Sequence, residues 1–183
     1  AIDDFSNIGS HFACAVPSTQ STAVVFGTTD ETSMVVNWTQ GNGTDAIVVV
    51  KEGAAVDVNP MSGTAYTANA AFGTGDDLGT GSFVVYAGAS ATQTVTVTGL
   101  SSGTVYHAAV YEYNSSDNCY NLETPAVGNN TTVATATLTV VEALTNFGAV
   151  DNAAVSASQS MTVAGTGLTT DITITAPANF EVS

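Results

Sequence analysis

The sequence predicts an all-β chain built from antiparallel two-sheet sandwiches, and three observations carry that expectation. Val, Thr, Ala, Gly and Ser dominate, while Lys and Arg together total 1 among 183 residues; such a composition suits pleated, half-buried surfaces better than helices. Candidate strands recur at sandwich spacing, with turn residues between them. The segment Leu100-Ser-Ser-Gly-Thr-Val-Tyr106 reads as a corner. There a strand ends in Leu, a short polar turn crosses between sheets, and the Tyr hydroxyl reaches back to the turn while its ring enters the core.

In chain order, residues 1–13 form an apolar-polar segment too small to fold alone, expected to be the end strand of a preceding domain or a linker. From Ser21 onward the expected strands are Ala23–Gly27, Ser33–Gln40, Asp45–Lys51, Ser82–Gly88, Gln93–Leu100, Thr104–Asn114 and Thr124–Thr135. In the second of these, Met34, Val36 and Trp38 share one face and Asn37 and Thr39 the other, so a period of two buries Trp38. Gln40-Gly-Asn-Gly-Thr44 follows as a hairpin-type turn in which Gly and Asn supply positive φ.

The run Ala46-Ile-Val-Val-Val50 is apolar on both faces, which requires a cover on its outer side. The long stretch from Glu52 to Gly81 is the expected cover. In the strand after the corner, inward-pointing Tyr106 and Ala108 flank His107, so His107 faces outward with Tyr111 and Tyr113. That stripe is either a surface partly covered by the Glu52–Gly81 stretch or a contact face for sugar or protein.

The corner and Trp38 together resemble fibronectin type III modules. Trp38-Thr-Gln-Gly-Asn-Gly43, the Pro60–Tyr66 segment and Val110-Tyr-Glu-Tyr-Asn114 resemble an enlarged variety of that module, found in multidomain proteins that Bacteroidetes-type bacteria export to their surface. The resemblance implies a fibronectin type III/Ig-like sandwich over residues 14–135, with Trp38, Leu100 and Tyr106 as core markers. It also implies that the start of the first strand and the loop after Asn114 share a pole, so that Cys14 can pair with Cys119. An even cysteine count in a chain of secreted character agrees with pairing. The other reading is two unpaired thiols, with no Cys-x-x-Cys spacing to suggest zinc. The run Ile2-Asp-Asp-Phe-Ser6 resembles the last strand of jelly-roll domains in large secreted bacterial proteins.

After Thr135 the pattern restarts with Ala136–Val141, Phe147–Val150, Gln159–Gly165, Asp171–Thr175 and Asn179–Val182. Residues 136–183 resemble the N-terminal part of a second Ig-like domain, and so few strands leave an open edge and an uncovered apolar face. Either the remaining strands belong to the rest of a longer protein, or another copy supplies one by β-strand complementation, which head-to-tail would build a filament.

Sixteen acidic residues against the single cation Lys51 give a formal charge of −15. That charge opposes nucleic acid and anionic membrane surfaces, and no apolar run is long enough to span a bilayer. No catalytic constellation is visible: there is no nucleophile elbow, zinc-protease helix or phosphate-cradling loop, so the chain is read as no enzyme. No cofactor is expected, although Asp3-Asp4, Asp30-Glu31 and Asp76-Asp77 could each ligate Ca²⁺ or simply form solvated turns.

These readings converge on a non-enzymatic structural or adhesive module, extracellular or at the cell surface. Its partners would be neighbouring domains of the same large protein or other copies of itself. The alternatives are a filament subunit and an accessory module that binds polysaccharide for a secreted hydrolase.

Overall fold

Alternation of apolar and polar residues makes Ser33–Thr39 a strand that turns Met34, Val36 and Trp38 into the interior. The computed structural model describes residues 14–141, 157–168 and 170–175. It divides the chain into two units between Val133 and Ala134. In the first, the strands are β1 (Thr22–Thr29), β2 (Ser33–Thr39), β3 (Asp45–Glu52), β4 (Ser82–Ala89), β5 (Thr94–Thr98), β6 (Val105–Asn114), β7 (Cys119–Tyr120) and β8 (Ala126–Thr131). One sheet has the order β1-β2-β5; the other runs β4-β3-β6, with β7 and β8 both paired to β6. All these ladders are antiparallel, and the result is an all-β, fibronectin type III-like sandwich.

Between the sheets lie Met34, Val36 and Trp38 from β2, Ala46, Val48 and Val50 from β3, Val97 from β5, and Tyr106, Ala108 and Val110 from β6. A second apolar layer forms on the outer face of β3 and β6, where Ile47, Val49, Ala109, Tyr111, Tyr113 and Tyr120 pack beneath Val56, Tyr66, Ala68 and Leu78. Both faces of β3 are therefore buried, as its continuous apolar run requires. The stretch between β3 and β4 does more than roof this layer. Asn69 N–H donates to Val84 O at 3.1 Å and Val84 N–H to Asp76 O at 2.9 Å, which closes the edge of β4. Thr98 N–H donates to Ala70 O at 2.9 Å and Phe72 N–H to Thr98 O at 2.9 Å, which closes the edge of β5. One segment thus binds the flanks of both sheets.

Several sequence expectations shift. The Gln40–Thr44 turn is no hairpin, because β2 and β3 lie in different sheets. Its glycines do not adopt positive φ either; they are needed because a Cβ at Gly43 would lie 2.8 Å from Glu112 Oε2 and 2.8 Å from Tyr113 O. The expected strand Thr124–Thr135 contracts to Ala126–Thr131. Together β7 and β8 form a single interrupted edge along β6, because Pro125 lacks an N–H and the chain bulges at residues 122–125.

In the second unit, β9 (Thr137–Val140) pairs antiparallel with β10 (Val163–Thr166). The expected strand Gln159–Gly165 is shorter than anticipated, and Asp171–Thr175 is not a strand. Residues 1–13, Phe147–Val150 and Asn179–Val182 lie outside the described residues.

Candidate functional site

The corner after β5 positions Tyr106 so that its hydroxyl accepts the Ser101 N–H at 2.9 Å and donates to Glu52 Oε2 at 3.2 Å. The ring packs edge-on against Phe72 with centroids 5.1 Å apart, and Leu100 and Trp38 are buried in the same core. Trp38 lies 5.4 Å from the Tyr86 ring, and its buried Nε1 has no hydrogen-bond partner. This indole is packed as a hydrophobe, without a polar tether.

At the opposite pole Cys14 and Cys119 form a disulfide across a sequence separation of 105. The strap that follows Cys14 is stitched to the β6–β7 turn. Ala15 N–H donates to Asp117 Oδ2 at 3.1 Å, and Asn121 Nδ2 donates to Pro17 O at 3.0 Å.

Beside this strap lies a residue that the sequence reading did not single out. Glu112 is fully buried, and its carboxylate accepts from Gly41 N–H at 2.9 Å, Gly43 N–H at 3.0 Å, Ser90 Oγ at 2.7 and 2.8 Å, and Ser21 Oγ. Its own N–H donates to Gln20 Oε1 at 2.6 Å. Donors from three chain segments converge on one side chain. A buried carboxylate is tolerable only when donors replace its water, and here backbone and hydroxyl donors do so. The signal was present in the sequence, since Glu112 shares the inward register of Tyr106, Ala108 and Val110.

The outward stripe divides. His107 shares a face with Tyr111 and Tyr113 as expected, but the latter two are 2 % and 7 % exposed, so they offer no contact face. The roof explains this. Tyr111 OH donates to Asn59 Oδ1 at 2.9 Å, Tyr120 OH donates to Thr64 O at 2.9 Å, and Tyr113 stacks on Tyr120 at 4.8 Å. Burial pushes the phenols of Tyr111, Tyr113 and Tyr120 above their usual range. Only His107 remains at the surface, where it lines a shallow groove of about 210 Å³ with Ala55, Val56, Val127 and Asn129. Its walls are mostly apolar.

Several charged groups among the described residues are engaged locally. Lys51 Nζ lies 2.7 Å from Asp57 Oδ1 and 3.1 Å from Thr80 Oγ1, and these partners hold the Asp57 carboxyl below its usual range. Asp76 Oδ2 accepts Thr67 N–H at 2.7 Å, Asp77 Oδ1 accepts Gly79 N–H at 2.9 Å, and Asp30 Oδ2 accepts Ser33 Oγ at 3.3 Å. Among the described residues no group of three or more His, Cys, Asp or Glu side chains could hold a metal ion. Asp3-Asp4 lies outside them.

No family model matches the sequence, and no curated protein matches it. Among solved structures, the chain is similar to the fibronectin type-III domain of human fibronectin type III domain containing protein 3. That match has 19% identity and a TM-score of 0.41, covering 66% of this chain and 90% of that one. A fibronectin type III domain derived from human KIAA0970 protein matches at 14% identity and TM-score 0.42, covering 77% and 85%. An FN3 domain of human collagen XX matches at 11% and 0.38, covering 61% and 91%. At these scores the fold assignment rests on this chain's own strand order and register.

Proposed function

We propose that the chain is a non-catalytic structural module of a larger extracellular assembly, its sandwich serving to space or display neighbouring domains. The observation that carries this reading is where its chemically capable groups are spent. Glu112, Lys51, Asp57, Asp76 and Asp77 each bond the chain's own backbone or side chains and so hold loops against sheets. The Cys14–Cys119 bridge supports an oxidising location. Alkylation of thiols on intact source cells, followed by mass spectrometry of the native protein, tests this. Cysteines blocked as a disulfide, and loss of the protein to protease added outside the cells, are expected; free thiols in a protease-protected protein would overturn the reading.

A second reading, assembly by strand addition, is favoured by β9, which leaves Leu138 and Val140 56 % and 54 % exposed in a ladder that has two strands among the described residues. Such a ladder is marginal on its own. Sedimentation of the purified chain across a concentration series tests it: growth into long polymers supports strand addition, and a monomer throughout refutes it.

A further inference from the structure

The described part of the first unit begins and ends at opposite poles. Cys119 pairs with Asn114 at one end of β6. Thr131 pairs with Val105 at the other end, beyond which Val133 N–H donates to Asp30 O at 3.1 Å. Since β6 has 10 residues, the poles are about 30 Å apart. The disulfide joins Cys14 directly to Cys119, at the start of the edge formed by β7 and β8.

We infer that tension applied along the chain passes through the Cys14–Cys119 bridge into that one edge and bypasses β1 to β6. Everything between Cys14 and Cys119, including β1 to β6 and most of both apolar layers, sits inside a covalently closed loop; Tyr120 and Ala126 lie outside it. Force entering at Cys14 crosses the bridge, runs along residues 119–133 and leaves at Val133. Both ends of the loaded segment belong to the same edge, so pulling straightens it, drawing Tyr120 and Ala126 out of the apolar layers but leaving β1 to β6 inside the closed loop. Drawn straight, residues 119–133 reach about 50 Å, so the oxidised unit can lengthen by only about 20 Å beyond its folded span. Reduction puts the 105 residues of the loop in series and adds about 360 Å. The unit is thus a link whose extension is capped at about 50 Å while the bridge is closed. Its biological sense rests on the structural role proposed above, whereas its mechanics do not.

Single-molecule pulling of the full chain between marker domains, in oxidising and then reducing buffer, tests the load path. Residues 134–183 contribute equally under both conditions and cancel. The expected result is that reduction adds about 360 Å of contour length, whether as a force peak or as low-force lengthening if the reduced unit is already open. The variant Cys14→Ser should show that added length in oxidising buffer even if it does not fold, because length and not folding is read. A gain of about 300 Å or more from the first unit of oxidised chains, or equal lengths in both buffers, would overturn the inference. Such a failure leaves the module reading intact, and free thiols on intact cells would refute that reading without altering these lengths.

Discussion

Glu112 Oε2 accepts the backbone N–H of Gly43 at 3.0 Å, and the same carboxylate holds Gly41, Ser90 and Ser21. A side chain on β6 therefore fixes the crossing between β2 and β3, the turn after β4 and the approach to β1. Substituting Glu112→Gln replaces two acceptor oxygens by one and brings an N–H against existing donors. The expected loss is about 2–4 kcal/mol, read as a lower urea midpoint. Gly43→Ala should cost about 1–3 kcal/mol by steric overlap with the same carboxylate.

Tyr106→Phe keeps the ring in the core and removes the hydroxyl that accepts Ser101 N–H. A loss of about 1 kcal/mol is expected in equilibrium denaturation. Leu100→Ala, at the other end of the corner, should cost about 2–5 kcal/mol because it empties buried volume.

Stability should fall in alkali. Tyr111, Tyr113 and Tyr120 have phenols pushed upward by burial, and for Tyr120 the neighbouring Tyr113 and Tyr66 add to the shift. The unfolded chain releases such protons near about pH 10, whereas the folded chain retains them. Their stabilisation is whole below that pH and is lost as pH rises toward the folded values. Denaturation midpoints should decline from about pH 10 upward, with tyrosinate absorbance from these rings appearing together with unfolding. Tyr120→Phe should make that decline shallower.

Opening the disulfide should lower stability by about 4–5 kcal/mol on the chain-entropy account for a separation of 105. The comparison is the denaturant midpoint with and without a thiol reductant at equal pH. An unchanged midpoint would show that the strap at Ala15 to Gln20 suffices without the bridge.

Much of this fold was legible from period-two patterning. The strands from Ser33 to Asn114 lie within a residue or two of their expected bounds, because each has a buried face that fixes its register. The double-sided burial of Val48 and Val49 announced the roof. Three features were less legible. The role of Glu112 is not apparent from local sequence because its donors come from segments far apart in the chain, even though its register points inward. Tyr111 and Tyr113 share the predicted face with His107, but how far the roof reaches depends on anchors such as Asn59 and Thr64 that no local pattern reveals. The glycines of the Gln40–Thr44 turn suggest a left-handed backbone, whereas the actual demand is close approach by the backbone of Thr19 and Tyr113 and by the Glu112 side chain.

The backbone bonds from Asn69, Ala70, Phe72 and Asp76 to β4 and β5 have a consequence for crowding. Exposed strand borders invite pairing with any similar strand held nearby, and serial copies of one module would hold many such borders at high local concentration. Here the module occupies that border with its own chain, so neighbours cannot zip onto it without first stripping the roof away. An array of such units would be guarded on this flank against exchange of strands between adjacent members.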